Sequence, residues 1–173
     1  AIDEAELARF MARRAPGSSK LTTQRKEADA VHLATGVMNG VTTGFPLLAY
    51  ILNTNQRSKD YSNLLDHPRP SHADYTAYVH YKGFADMRGG GHFSGRLTAP
   101  LCIAGGIAKQ ILRRRGIYIG AQLLQVADVR GTAFDAMHVD AATLEGMAER
   151  AFPTLDENAS AAMQEAIAAA SRD

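Results

Sequence analysis

The sequence predicts an α+β fold, a layered domain of helices with antiparallel strands. Three observations carry that prediction. An Asn39-Gly40 pair separates short apolar runs in the manner of a tight hairpin turn, a long apolar helix begins near Thr98, and no repeat or low-complexity linker divides the 173 residues. One domain spanning 1–173 is therefore expected, with a core of its own.

Taken in order, Asp3 is placed to cap a first helix whose Leu7, Phe10 and Met11 share a face, and which ends at Arg13, Arg14, Ala15, Pro16 and Gly17. Ser18 to Asp29 is polar and reads as a solvated loop. Val31–Thr35, Gly36–Asn39 and Val41–Thr43 read as short strands, and Pro46–Leu52 as a stronger one whose apolar run predicts burial on both faces. Asn53 to His67 is a long polar loop, with Arg57 and Asp60 as secondary candidates for a site. Ala73–Tyr81 predicts a short helix leading to Gly83. Its Tyr75, Tyr78 and Tyr81 either stack bases or, more ordinarily, pack half-buried. Thr98 reads as an N-cap with Pro100 in the first turn of the principal helix, which runs to Arg115, is apolar on most sides, and offers Gly105-Gly106 for close approach of a neighbour. Ile117–Val126 alternates like a strand, and Ala141–Arg150 and Asn158–Ser171 read as two further helices.

Composition narrows the function. Nineteen Lys and Arg stand against eighteen acids, so any polyanion site must be local and a nucleic-acid surface is not expected. The single cysteine, Cys102, excludes an internal disulfide, fits a reducing cytosol and reads as a small buried hydrophobe. No window is apolar enough to span a bilayer, and the acidic start is unlike a signal peptide, so a cytoplasmic protein is expected. His67, His72, Asp74, His80, Asp86 and His92 lie close in sequence, but their spacing matches no zinc pattern and no metal is expected.

The chemistry concentrates between Arg69 and Lys109. Three consecutive glycines, Gly89-Gly90-Gly91, cost backbone entropy and are retained where positive φ or close approach of a ligand is needed, although a tight structural turn would also use them. Ser94 and Arg96 follow immediately, before the helix. Amide groups, a hydroxyl and a guanidinium converging at a helix start suit a phosphate or carboxylate. Arg69, His72 and Arg88 flank the same stretch.

RPSHADY, DMRGGGHFSGR and AGGIAK resemble the motifs of chorismate synthase, in which they run Arg-Pro-Gly-His-Ala-Asp-Tyr, Asp-x-Arg-Gly-Gly-Gly-Arg-x-Ser-Ala-Arg-Glu-Thr and Ala-x-Gly-Ala-Ile-Ala-Lys. The upstream RRAPGSSKLTTQRKEAD and GVMNGVTTGFPLLAYILNTNQRSKDYS are similar to that family's earlier motifs, in the same order, and the resemblance runs to about Gln125. It implies a β-α-β sandwich, of which this chain would supply about one repeat. It also implies a lyase that converts 5-enolpyruvylshikimate 3-phosphate to chorismate and phosphate by anti-1,4-elimination, the last common step of aromatic amino acid biosynthesis. Reduced FMN is required although no net oxidation occurs, and NADPH serves some members as reductant.

By the same resemblance, Arg14, Lys20, Arg69, Ser94, Gly95 and Arg96 line the substrate pocket. His72 is the catalytic histidine beside the flavin, His92, Phe93 and Ser94 contact FMN, and Arg14 and Lys20 take NADP where it is used. The family assembles as homotetramers. Ala15 and Lys20 stand where arginine is common, Ser71 replaces a glycine, His92 an arginine, Gly95 an alanine and Leu97 a glutamate. Lys20 and His92 keep a cationic or titratable group but lose the guanidinium fork. The family's opening Glu-Ser-His segment and its later flavin-phosphate contacts are not found in the sequence, so an internal fragment that is inactive alone is expected. The remaining alternatives are a basic nucleic-acid module and an oligomerisation module without catalysis.

Overall fold

The computed structural model describes residues 1–15, 29–53, 63–64, 66–86 and 92–172. These divide into two compact units, one reaching Gly106 and one from Ile107 onward.

The first unit opens with α1 (Glu4–Ala12). The Asp3 carboxylate accepts from the Glu6 amide at 2.8 Å, and Glu4 and Glu6 sit favourably in the positive first turn. Leu7 and Met11, one turn apart, are buried. β1 (Val31–Thr35) pairs antiparallel with β4 (Leu48–Ile51), and between them β2 (Val37–Met38) and β3 (Val41–Thr42) form the predicted hairpin. Asn39 and Gly40 both take positive φ, 52° and 73°, as a two-residue turn of this hand demands. The same turn receives the chain start, since the Ile2 amide donates to the Gly40 carbonyl at 2.7 Å. Gly36 is fixed by crowding as well as by its φ of 82°, for a Cβ there would lie 2.6 Å from Leu47 Cα.

The expectation of a doubly buried strand at Pro46–Leu52 is corrected. β4 is shorter and belongs to a two-stranded sheet, and Leu48 and Tyr50 are exposed while Ala49 and Ile51 are partly covered. The apolar run reflects an alternating ribbon rather than a central strand. Helix α2 (Asp74–His80) follows as predicted and closes at Gly83, whose amide donates to the Tyr78 carbonyl. Tyr75 is 64% exposed, more open than half-buried packing would leave it.

The principal helix, α3 (Thr98–Arg113), is preceded by a single 3-10 turn at Gly95–Leu97. Thr98 is not its N-cap. The Thr98 hydroxyl donates to the Gly95 carbonyl at 2.7 Å, and capping falls to Ser94, whose Oγ accepts from the Arg96 amide at 3.3 Å. The helix buries one stripe, Ala99, Ile103, Ile107 and Gln110, and exposes Leu101 and Ile111, so it is amphipathic rather than apolar on most sides. Gly106 does admit a neighbour: a Cβ there would lie 2.7 Å from Leu7 and 3.0 Å from Phe10 of α1, whereas nothing lies within 4 Å of Gly105.

In the second unit, the strand expected over Ile117–Val126 shrinks to β5 (Gln125–Val126), paired with β6 (Val129–Arg130). The backbone before it finds other partners. Gly120 lies against Leu144 of α4 (Ala141–Glu149), and the Leu123 amide donates to the Pro153 carbonyl at 2.7 Å. Both α4 and α5 (Glu157–Ala170) start at aspartate caps, Asp140 and Asp156. Met147, Ala159 and Met163 join Ile107 as buried apolar residues here, and β5 and β6 rest on α5. Mixed helices and small antiparallel sheets make the fold α+β. Among the described residues no helix is long and apolar enough to cross a membrane.

The two adjacent glycines should respond oppositely to substitution. Gly106→Val should cost about 1–3 kcal/mol by overpacking against Leu7 and Phe10, whereas Gly105→Ala should gain about 0.5–1 kcal/mol from reduced unfolded-state entropy. Urea denaturation of the two variants measures both.

Candidate functional site

Arg69-Pro70-Ser71-His72 forms a turn in which the His72 amide donates to the Arg69 carbonyl at 3.3 Å. Proline at the second position and positive φ at the third, 58° at Ser71, is the type II pattern, which ordinarily places glycine third. The turn sets Arg69 and His72 side by side immediately before α2.

Asp74, the first residue of α2, gathers both. Its side chain is 1% exposed. Oδ2 accepts from the Arg69 amide at 2.9 Å and from Arg69 Nε at 2.8 Å, Oδ1 accepts from Arg69 Nη2 at 2.9 Å, and His72 Nδ1 lies 2.7 Å from Oδ1. The fork-to-fork pairing and the backbone donor favour the carboxylate, and the bonds to Arg69 hold the Asp74 pKa well below the usual carboxyl range despite burial. Arg69 and His72 remain partly exposed, with 36% and 25% of their side chains open, so the buried acid presents two solvent-facing groups.

A second group forms around the start of α3. Arg14, just beyond α1, donates through Nη1 to the buried Asp29 at 2.9 Å and through Nη2 to Thr98 Oγ1 at 3.3 Å. These bonds join Arg14 to the turn that carries Ser94, Gly95 and Arg96. A guanidinium has five donors, so the two bonds position Arg14 without exhausting it. Ser94 Oγ accepts from the Arg96 amide, which ties the hydroxyl to the helix entry.

His92 and Phe93 line a third feature. With Tyr81, Phe84, Ala85 and Asp86 they form a cleft of about 290 Å³, its walls mainly aromatic. Phe84 is 90% exposed there, and the His92 and Phe93 rings meet edge to face at 6.1 Å. Planar aromatic walls suit a flat heteroaromatic ring. A larger cavity of about 370 Å³ in the second unit is walled by Arg113, Glu145, Glu149 and Lys109, the last residue of AGGIAK, and contains none of the candidate substrate- or flavin-binding residues. Among the described residues no cluster has the makings of a metal site.

The structure thus unites Arg69 with His72, and Arg14 with Thr98 beside Ser94, Gly95 and Arg96, and places His92 and Phe93 in the aromatic cleft. Lys20, Arg57, Asp60, Arg88 and Gly89-Gly90-Gly91 lie outside the described residues. Sequence reasoning missed two acids. Asp29 sits in sequence at the end of a polar loop, and Asp74 stands out there only beside histidines of no metal-binding spacing. The available signal for Asp74 was its place two residues after His72 at a helix start.

The family model for chorismate synthase matches residues 1–173. The chain is 46% identical over 140 residues to the chorismate synthase of Burkholderia multivorans, an alignment that covers 80% of this chain and 38% of that protein. It is 42% identical over 166 residues to that of a Sulfurovum species, covering 96% and 44%, and 54% identical over 112 residues to that of Polaromonas naphthalenivorans, covering 65% and 30%. The chain spans less than half the length of these curated relatives.

Two measurements follow from the geometry. A carboxyl held below its unfolded pKa binds protons more readily in the unfolded chain, so its contribution to stability is full above the ordinary value of about 4 and falls as pH drops below it. Acid denaturation of Asp74→Asn should lack that share of the pH dependence. Ser71→Gly should relieve the left-handed strain and gain about 0.5–1 kcal/mol, net of glycine's larger unfolded-state entropy, as read by thermal or urea unfolding.

Proposed function

The chain belongs to the chorismate synthase family, and on that premise we propose that it carries part of a site converting 5-enolpyruvylshikimate 3-phosphate to chorismate and phosphate. The reaction breaks a carbon–oxygen bond to phosphate, removes a ring proton and forms a double bond, with no net change in oxidation state. Its ligands are anionic throughout. A site for it must fix a phosphate and carboxylates, hold a proton in place and keep water out.

The observation that carries the reading is the pairing of Arg69 and His72 on one buried carboxylate. An arginine held by its Nε edge keeps its planar fork in a fixed orientation, and guanidinium bonds oxyanions without losing charge. Arg69, Arg14 and Arg96 supply cations for the phosphate and carboxylates. Lys20 contributes a further charge, while Ser94 and Gly95 close the turn against the substrate. His72 carries an imidazole, whose ring nitrogens can hold or pass a proton.

Reduced FMN, when bound, supplies transient electron density to the carbon losing phosphate. The aromatic cleft of Tyr81, Phe84, Phe93 and His92 is the feature whose chemistry fits a flavin ring, and Ser94 adjoins it in sequence. NADPH, where it serves as reductant, would meet Arg14 and Lys20. We also carry over from the family the sandwich arrangement of layers, a tetrameric assembly and a cytoplasmic setting. The exposed apolar residues of β4, Leu48 and Tyr50, are compatible with assembly.

Calorimetric titration of 5-enolpyruvylshikimate 3-phosphate into the chain tests the reading. Arg96→Ala should weaken binding by about tenfold or more, the loss of one charge-assisted hydrogen bond. Binding that is unchanged in Arg96→Ala and in Arg14→Ala contradicts the assignment.

A further inference from the structure

Asp74 makes more of His72 than a neighbour does. Its carboxylate accepts three bonds from Arg69, and the strength of that pairing keeps it unprotonated through neutral pH. An unprotonated carboxylate has no hydrogen to give, so the 2.7 Å separation between Oδ1 and His72 Nδ1 requires the hydrogen to sit on Nδ1. Arg69 Nη2 also lies 3.3 Å from Nδ1. Guanidinium is a donor only, so with Nδ1 protonated this is not a bond between them. Both are donors converging on the same oxygen, Oδ1, which Arg69 Nη2 reaches at 2.9 Å.

In a neutral imidazole one ring nitrogen carries hydrogen and the other is bare. With Nδ1 committed to Asp74, Nε2 is the bare one. Arg69 and Asp74 are the charged groups that the described contacts set against the ring, one a donor that competes for the carboxylate and the other the acceptor itself. The side chain is partly exposed, and with Nδ1 engaged by the buried carboxylate the ring nitrogen left for a reactant is Nε2.

We propose that Asp74 is a positioning residue that fixes His72 as its Nδ1–H tautomer, so that Nε2 alone accepts or delivers a proton, while the same carboxylate aims Arg69. The consequence for turnover rests on the function proposed above. The tautomer does not, and it can be read without substrate or flavin.

The test is long-range proton–nitrogen correlation NMR of the nitrogen-15-labelled 173-residue chain, at a pH above the imidazole range, with His72 assigned by the signals lost in His72→Gln. The expected spectrum shows Nε2 at the far-downfield position of a bare ring nitrogen and Nδ1 at the upfield position of a protonated one. In Asp74→Ala the two positions should move toward each other or exchange, as the ring takes up the Nε2–H form that unconstrained histidines favour. A wild-type His72 with its hydrogen on Nε2 overturns the proposal, and so does an Asp74→Ala spectrum identical to wild type. Should that variant fail to fold, the wild-type tautomer decides alone.

Discussion

One buried carboxylate organises this site. Asp74 is nearly inaccessible to water, and an isolated charge there would be expensive. The expense is offset by Arg69, which offers its backbone amide and the Nε–Nη2 edge of its guanidinium, and by His72. Removing Arg69 would leave the buried carboxylate without its countercharge, whereas the intact pair holds the guanidinium rigidly in one orientation. Rigidity is what a site for anions requires, because a guanidinium that need not be ordered on binding costs less affinity.

Local backbone chemistry delivers those partners. Pro70 presets one turn position and Ser71 accepts a left-handed conformation at the next, so Arg69 and His72 arrive three residues apart and adjacent in space. Serine does this at a steric cost that glycine would avoid. The hydrogen bond that closes the turn is made with Ser71 in place, so the pairing of Arg69 and His72 forms with serine at this position. Arg14 follows a similar logic at longer range: Asp29 and Thr98 hold it from two sides, joining the end of α1 to the entry of α3.

Much of this was legible in the sequence, and the failures have physical causes. Asn39-Gly40, the Asp3 cap and α2 were read correctly because each depends on a few neighbouring residues. Pro46–Leu52 and Ile117–Val126 were overread, since an apolar run states that a segment seeks cover but not whether a sheet provides it. The backbone before β5 bonds instead to a loop and presses Gly120 against α4. Thr98 looked like a cap because threonine caps often, yet Ser94, four residues earlier, captured the helix entry through a 3-10 turn. Motifs picked out Arg69 and His72, which the structure sets side by side, and Ser94 and Arg96, which share one turn. Asp74 escaped because an acid at a helix start is favoured by the dipole alone, and its second task appears only when distances are known.

Asp74 grips Arg69 by its main chain as well as by its side chain. Hydrogen exchange at the Arg69 amide examines that grip directly, because this amide lies outside any helix and owes its protection to Asp74 Oδ2. Exchange as slow as that of the hydrogen-bonded amides of α2 is expected. An Arg69 amide that exchanges at the rate of an open loop contradicts it.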